Sequence, residues 1–160
     1  MEIKRFPRGS EWRKWDLHFH SQSSYDYQDK AVTDEELIAG LLEKGVEAVA
    51  ITDHHKIDGT RIKNLQTLAK NKILILPGIE FRSELGGSEL MHYIGIFSEN
   101  ADIDYIWKQL QVHCKIDDAD IKRRGGYEKV FCDFKETAKL IHGLGGLVSV
   151  HAGKKTNSVE

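Results

Sequence analysis

The chain of 160 residues has only two cysteines, two prolines and almost no net charge. Cys114 and Cys132 lie far apart and form no C-x-x-C pair, so we expect two free thiols, buried as small hydrophobic side chains in a reducing compartment. A formal net charge of -2 excludes a general electrostatic attraction to nucleic acid or membrane. Any phosphate recognition must therefore come from local charge, including bound metal.

Long hydrophobic runs are also missing. No stretch approaches the roughly 20 apolar residues of a membrane span, and residues 1–6 lack the apolar run of a signal peptide. We therefore predict a cytoplasmic protein with no membrane partner. The length suits one domain with a real core, spanning residues 1–160, but it is short for a complete α/β barrel.

Strand and helix signals alternate along the chain, which predicts an α/β fold with mostly parallel strands. A capping box of Thr33 and Glu36 begins the first helix, and Gly45 ends it. Asp133 is the predicted cap of the last helix. Apolar runs predict strands over residues 15–20, 46–51, 73–76, 90–97 and 147–150, and the other helices lie near 62–68, 102–121 and 134–143.

Most of the histidines lie in short blocks at predicted strand ends. The blocks read D-L-H-F-H at 16–20, D-H-H at 53–55, M-H-Y at 91–93 and V-S-V-H at 148–151, while P-G-I-E-F at 77–81 supplies a carboxylate. In parallel α/β barrels the carboxyl ends of the strands carry the chemistry, and only His92 lies instead near a strand's start. Imidazoles and carboxylates gathered in this way predict a multinuclear metal site in a hydrolase.

The first block places two imidazoles on one face of a strand. His18 and His20 are two residues apart, so both side chains can reach a single ion. Asp16 shares that face, either orienting a histidine or accepting hydrogen bonds from backbone amides. In the polar loop that follows, Asp26 could reach a further ion, while Ser21 and Tyr25 could contact substrate or simply form a hydrogen-bonded loop.

The second block follows an apolar strand. His54 is the preferred ligand, with Asp53 either supporting it or capping a helix near residues 57–59. His55 is interpreted as solvent-facing or as a substrate contact. Three basic residues nearby could bind phosphate oxygens: Lys56, Arg61 and Arg82. The alternative is that they are simply solvated, as most charged side chains are.

The remaining candidates come from the later blocks. Glu80 could bridge two cations, which in two-metal sites lie about 3.5–4 Å apart, unless it is a surface glutamate on a loop. His92 and His151 are single histidines in apolar strands, where a core position is the usual alternative to a ligand. His113 and His142 lie in helical stretches without ligand-like neighbours, and we interpret both as structural or surface residues.

Taken together, these blocks resemble the PHP (polymerase and histidinol phosphatase) metallo-phosphoesterase family. D-L-H-F-H-S at 16–21 looks like its first motif, I-T-D-H at 51–54 like its second and P-G-I-E at 77–80 like its glutamate motif. His92 and His151 match its single-histidine motifs. Order and spacing agree from Trp15 to Gly153.

The resemblance implies a distorted (β/α)7 TIM-like barrel that holds two or three divalent ions: zinc, manganese or iron. His18 and His20 would bind the first ion, Glu80 would bridge it to the second, and His54 with Asp26 would bind a third. We also expect Glu80 and Asp53 to take part in catalysis. The implied metal ligands are His18, His20, Asp26, His54, Glu80, His92 and His151.

One family motif is missing from the sequence. A final Asp-x-His motif, which in that family supplies one ligand each to the first and third ions, does not occur after residue 151. By the same resemblance, two late strands of the barrel would also be missing. We therefore expect an incomplete barrel, belonging to the N-terminal part of a longer protein or completed by a partner. The segment R-G-S-E-W-R-K-W at 8–15 narrows the resemblance to PHP segments of bacterial proteins with a C-terminal SMC/ABC-type ATPase domain, some linked to phage defence.

Hydrolysis of a phosphoester by a metal-activated water is the leading hypothesis for function. The expected substrate is a phosphorylated small molecule or a nucleic acid, and an oligomer is compatible with the sequence. The alternative is a non-catalytic, metal-stabilised module that regulates an attached ATPase or another partner. An amidohydrolase ranks lowest, because that family often bridges its metals with a carbamylated lysine, whereas this sequence has Glu80.

Overall fold

The computed structural model of the chain describes residues 13–84 and 90–150. Two predictions fall outside the described residues: His151 as a metal ligand, and segment 8–12, on which the narrower resemblance depends. The strands are β1 (Trp15–Phe19), β2 (Ala48–Ile51), β3 (Leu74–Ser83), β4 (Met91–Ile96) and β5 (Leu147–Val150). The helices are α1 (Asp34–Glu43), α2 (Gly59–Ala69), α3 (Ile103–Cys114), α4 (Asp118–Arg124) and α5 (Phe134–Gly143), with a 3-10 turn at Tyr127–Lys129.

The strands form one curled sheet in the order β1-β2-β3-β4-β5, a half-barrel of mixed α/β class. β1, β2 and β3 are parallel, but β4 is antiparallel to both β3 and β5. The prediction of mostly parallel strands is therefore wrong for the second half. Residues 84–90 alone separate β3 from β4, and a parallel crossover needs about a dozen residues.

β3 continues well beyond its predicted end. The predicted strand over residues 73–76 stops before Pro77, but β3 pairs with β2 as far as Pro77 and with β4 from Gly78 to Ser83. Gly78 makes this passage possible, because a Cβ there would lie 2.7 Å from the Thr52 side chain and 3.0 Å from the Ile51 carbonyl oxygen. Glu80 consequently lies within the sheet, with 1% of its surface exposed, and not on a surface loop.

The predicted helix ends are confirmed where local capping decides them. Thr33 Oγ1 accepts from the Glu36 amide at 3.2 Å, and the Glu36 carboxylate accepts from the Thr33 amide at 2.8 Å. Gly45 follows α1 with a φ of +67°, in the left-handed region that glycine tolerates. Asp133 caps α5 by accepting from the Glu136 amide at 2.8 Å.

The predicted helical region over residues 102–121 is two helices. α3 ends at Cys114, because Lys115 adopts a left-handed φ of +54°. Asp117 then caps α4, accepting a hydrogen bond from the Asp120 amide at 2.7 Å. An N-cap residue inside a helical pattern is a signal that the apolar periodicity alone conceals.

One main apolar cluster joins the helices to the sheet, with Val49, Leu65, Ile79 and Tyr93 fully buried. Both cysteines are free thiols, Cys132 buried and the other half-buried, as predicted. No helix within residues 13–84 and 90–150 is long and apolar enough to cross a membrane.

Candidate metal centre

The sheet topology brings the predicted blocks to one edge. β1, β2 and β3 run parallel, so the histidines that follow β1 and β2 lie at the same edge as the second half of β3. β4 runs the opposite way, and its first residues therefore lie at that edge too, with His92 directly opposite Arg82 of β3. The start of an antiparallel strand is equivalent here to the end of a parallel one.

Glu80 is the centre of the site. One carboxylate oxygen, Oε2, lies 2.8 Å from His18 Nε2 and 2.8 Å from His20 Nε2. The other oxygen, Oε1, lies 2.7 Å from His92 Nδ1. His54 Nδ1 is 3.5 Å from Oε2. A single buried carboxylate thus contacts imidazoles from both halves of the sheet.

Within the described residues, three overlapping groups of side chains could each hold an ion. In every group the potential ligand atoms lie within 4.8 Å of one another. The groups share members, so ions held by neighbouring groups would share ligands. They are His18 with His20 and Glu80, His20 with Asp26 and His54, and His54 with Glu80 and His92.

The donor geometry fits a divalent ion. His18 Nε2 and His20 Nε2 lie 3.1 Å apart, both facing the same Glu80 oxygen. Nitrogen ligands about 2.0–2.1 Å from a tetrahedral ion are separated by about 3.3 Å, close to this spacing. His54 Nδ1 is buried and has no hydrogen-bond partner among the described residues. A cation would supply the partner that His54 Nδ1 lacks among these residues.

The electrostatics keep Glu80 and His54 in their ligating forms. Burial would raise the pKa of Glu80, but the contacts from the surrounding histidines outweigh it and lower that pKa, so the carboxylate is ionised. Burial lowers the pKa of His54 to about 4, which makes its imidazole neutral at pH 7. Burial also acts to lower the pKa of His20, but Glu80 and Asp26 raise it overall.

Asp26 reaches the site from the loop after β1. Its Oδ1 lies 3.3 Å from His20 Nδ1, and its Oδ2 lies 3.4 Å from His54 Nε2. Ser24 donates a hydrogen bond to the same carboxylate. Partial burial acts to raise the pKa of Asp26, but Ser24 and the two histidines lower it overall.

Comparisons with known proteins agree with this geometry. The model of the PHP domain family matches residues 16–151. The chain belongs to the PHP domain family. A comparison with curated proteins finds no significant match. The predicted family and its incomplete TIM-like barrel fold are therefore confirmed.

Two solved structures share the fold of this PHP domain. One is an amidohydrolase from Chromobacterium violaceum, solved with sulfate and without metal; identity is 16%, the TM-score is 0.55, and the match covers 89% of this chain and 68% of that one. The other, from Bifidobacterium adolescentis, carries the provisional name of metal-dependent phosphoesterase, with 13% identity, a TM-score of 0.57 and coverage of 92% and 71%. The family and these neighbours support a metal-dependent hydrolase.

Asp53 holds the loop that follows β1 by two hydrogen bonds to Ser21. Its carboxylate accepts hydrogen bonds from the Ser21 amide at 2.6 Å and the Ser21 hydroxyl at 2.7 Å. Burial raises the pKa of Asp53, and the two Ser21 bonds offset part of that rise. Its alternative role as a helix cap is wrong, because Asp58 caps α2 by accepting from the Arg61 amide at 3.0 Å.

His55 is wrongly predicted as solvent-facing. Its side chain is 0% exposed and lies against Phe81, with 6.0 Å between the ring centroids. Its backbone has a φ of +52°, which turns the side chain into the core. The side chain of the preceding His54 instead faces the other candidate ligands. Burial lowers the pKa of His55 to about 3. Among the described residues, no group hydrogen-bonds either ring nitrogen.

The remaining predicted residues occupy varied positions. Asp16 accepts from the His18 backbone amide at 3.2 Å, the second of its two interpretations. His113 and His142 are exposed on α3 and α5. Tyr25 is half-buried, and its ring centroid is 5.3 Å from that of His54.

Arg82 is the residue whose position the sequence patterns describe least well. It is one of three basic candidates in the sequence, yet it alone is buried beside the histidines, opposite His92. Its spacing of two from Glu80 was the available signal, since alternate residues of a strand share a face.

Proposed function

We propose that this PHP domain hydrolyses phosphomonoesters or phosphodiesters with water activated by two or three divalent ions, zinc, manganese or iron. The observation that carries the proposal is that the two carboxylate oxygens of Glu80 contact different histidines. Oε2 contacts His18 and His20, while Oε1 contacts His92. A carboxylate shared in this way is suited to bridge two ions about 3.5–4 Å apart, the spacing of two-metal phosphoryl-transfer sites.

Bound ions of this kind supply a hydroxide nucleophile near neutral pH and offset the charge that develops on phosphoryl oxygens. The protein's own contribution is to fix the ligands before substrate arrives. Glu80 is ionised and held by three histidines within 2.8 Å. Asp53 takes part indirectly, because its two bonds to Ser21 fix the loop that carries Asp26. His151 remains a proposed further ligand.

Two substrate classes follow from this chemistry. A net charge of -2 gives no basic stripe of the kind that a stand-alone nucleic-acid binder displays, which favours a small phosphorylated substrate. A nucleic acid would need binding residues supplied by another domain, and the proposed ATPase-bearing full-length protein would offer them. A non-catalytic, metal-stabilised module is the competing function.

The test uses the full-length protein, stripped of metal and reloaded separately with zinc, manganese or iron. We expect metal-dependent hydrolysis of p-nitrophenyl phosphate or bis(p-nitrophenyl) phosphate. The double variant His18→Ala/His20→Ala should lose this activity and stay folded. His113→Ala/His142→Ala replaces two exposed histidines and should retain it.

Two outcomes would contradict the proposal. Wild-type rates in the His18→Ala/His20→Ala protein would show that hydrolysis does not use this centre. Tight metal binding without turnover of either phosphoester, with all three metals, would instead favour the non-catalytic module.

A further inference from the structure

Arg82 is a buried cation without a carboxylate partner in the described part of the chain. The residue is 7% exposed, and its guanidinium forms no ion pair within residues 13–84 and 90–150. Its Nε atom is buried and has no hydrogen-bond partner there. Arginine is almost never buried unless it is paired, because its charge must be removed from water.

The surroundings of the guanidinium compensate for only part of this burial. One terminal nitrogen donates to the Tyr127 carbonyl oxygen. The guanidinium carbon lies 5.9 Å from the ring centre of Tyr25 and 5.7 Å from that of Phe131. Two aromatic faces and one carbonyl are favourable neighbours for a cation, but none of them carries the negative charge that a desolvated guanidinium attracts most strongly.

The position of Arg82 relates it to the metal centre. It follows Glu80 by two residues in β3, so both side chains leave the same face of the sheet. His92 is directly opposite it in β4, and opposite residues of an antiparallel pair also share a face. Arg82 is one pleat nearer the carboxyl end of β3 than Glu80, on the side of the loops where barrel enzymes receive substrate.

The other two basic candidates differ from Arg82. Arg61 Nε lies 3.2 Å from a carboxylate oxygen of Asp34, and its NH1 donates to Gln22 Oε1 at 3.1 Å. Those contacts already satisfy its charge. Lys56 is half-buried and has a single ammonium group, without the planar fork that matches two oxygens of one phosphoryl group.

We propose that Arg82 binds a non-bridging oxygen of the substrate's phosphoryl group, forming an anion site beside His92. This inference rests on the proposed phosphoester hydrolysis, for which it supplies the substrate-binding cation. The anion would be the counter-charge that the buried guanidinium lacks among the described residues. Arg82 thereby selects phosphoesters over neutral substrates of other metal-dependent hydrolases.

The experiment measures binding of inorganic phosphate to the metal-loaded full-length protein by calorimetry, together with its inhibition of p-nitrophenyl phosphate hydrolysis. Arg82→Gln should weaken phosphate binding about 10- to 100-fold, the usual effect of losing a charged hydrogen-bonding partner, and raise KM similarly. Its metal content should be unchanged. The matched control Arg61→Gln should keep both constants within about twofold of wild type, because that guanidinium is paired with Asp34.

Folding is checked by thermal unfolding, since Arg82→Gln replaces a buried residue. If that variant does not fold, Arg82→Lys decides, because lysine keeps the charge but lacks the planar fork. A folded Arg82→Lys protein with several-fold weaker phosphate binding supports the proposal. Wild-type phosphate affinity in either folded variant overturns it, as would wild-type protein that binds no phosphate.

The two proposals can fail separately. Calorimetry needs no turnover, so phosphate binding that depends on Arg82 would support the anion site even in a protein that hydrolyses neither phosphoester. Conversely, metal-dependent hydrolysis with a KM that is unchanged in Arg82→Gln would retain the proposed function and remove Arg82 from it.

Discussion

The two halves of the sheet bring candidate metal ligands to the same edge by different routes. In the parallel half, β1 to β3, candidate metal ligands such as His20 and His54 lie just after the ends of strands. In the antiparallel half, β3 to β5, His92 lies at the start of its strand. The comparison shows that the edge of the sheet decides where a metal centre can form, and that strand direction decides which end of each strand supplies it.

β3 belongs to both halves, and Glu80 is where they meet. Its parallel neighbour β2 leads to His54, whose backbone pairs with that of Glu80 in an isolated parallel β-bridge. Its antiparallel neighbour β4 carries His92. The parallel half supplies three imidazoles and Asp26, whereas the antiparallel half supplies one imidazole within the described residues. Glu80 is therefore the residue whose loss should separate the two halves of the centre.

Glu80→Gln should have the largest effect. An amide of the same size keeps the packing but cannot provide two anionic oxygens, so we expect loss of bound metal and a fall in activity on the order of 1,000-fold or more, since losing even an outer partner of a metal ligand costs about 10–100-fold. Elemental analysis and phosphoester hydrolysis measure the two effects. Glu84→Gln, an exposed glutamate just after β3, is the matched control.

A Glu80→Gln protein with full metal content and wild-type rates would show that the halves bind their ions independently. Retention of only part of the metal would instead identify which half holds its ion without the shared carboxylate. Combining the change with His92→Ala would distinguish these cases, because only the antiparallel half loses a further ligand.

Sequence patterns predicted the features that local geometry determines. The capping box at Thr33, the cap at Asp133 and the shared face of His18 and His20 each depend on residues within four positions of one another. The sequence blocks also identified Glu80, although its place inside a strand was missed, because Pro77 is a conventional stop signal.

Features set by distant partners were not predicted. The left-handed backbone of His55 and its burial against Phe81 depend on how the turn after β2 packs on β3. The direction of β4 depends on which strand it pairs with, although the short connection from β3 was a readable signal. Sequence patterns did not distinguish Arg82 from the other basic residues, because its position opposite His92 depends on the pairing of β3 with β4.

The second prediction concerns acid sensitivity in the parallel half. Burial lowers the pKa of His55 from 6.5 to about 3, so the unfolded chain takes up a proton on this residue before the folded chain does. The stability that this neutral imidazole contributes is therefore present above pH 6.5 and is lost as the pH falls toward 3. Between neutral pH and pH 5 this residue should cost about 2 kcal/mol in the free energy of unfolding.

Thermal and urea unfolding of chelator-treated protein across this pH range measures the loss. His55→Asn, which accepts the left-handed backbone, should flatten the dependence on pH, whereas His113→Asn on exposed α3 should follow wild type. An unchanged pH dependence in His55→Asn would assign the acid sensitivity to other groups, such as the histidines of the candidate metal centre.

The smallest expected effects come from one helix cap in each half. Thr33→Ala removes the cap of α1, which connects parallel strands, and Asp133→Ala removes the cap of α5, which precedes β5. Each alanine variant should lower the free energy of unfolding by about 1 kcal/mol without changing the amount of bound metal. Thr33→Ser and Asp133→Asn keep a capping side chain and should retain most of that stability. Because both halves share β3 and one apolar cluster, we expect a single urea transition that each alanine variant shifts similarly. If Asp133→Ala instead produced a separate early transition, the antiparallel half would be a less stable unit, held to the parallel half chiefly through Glu80 and its ions.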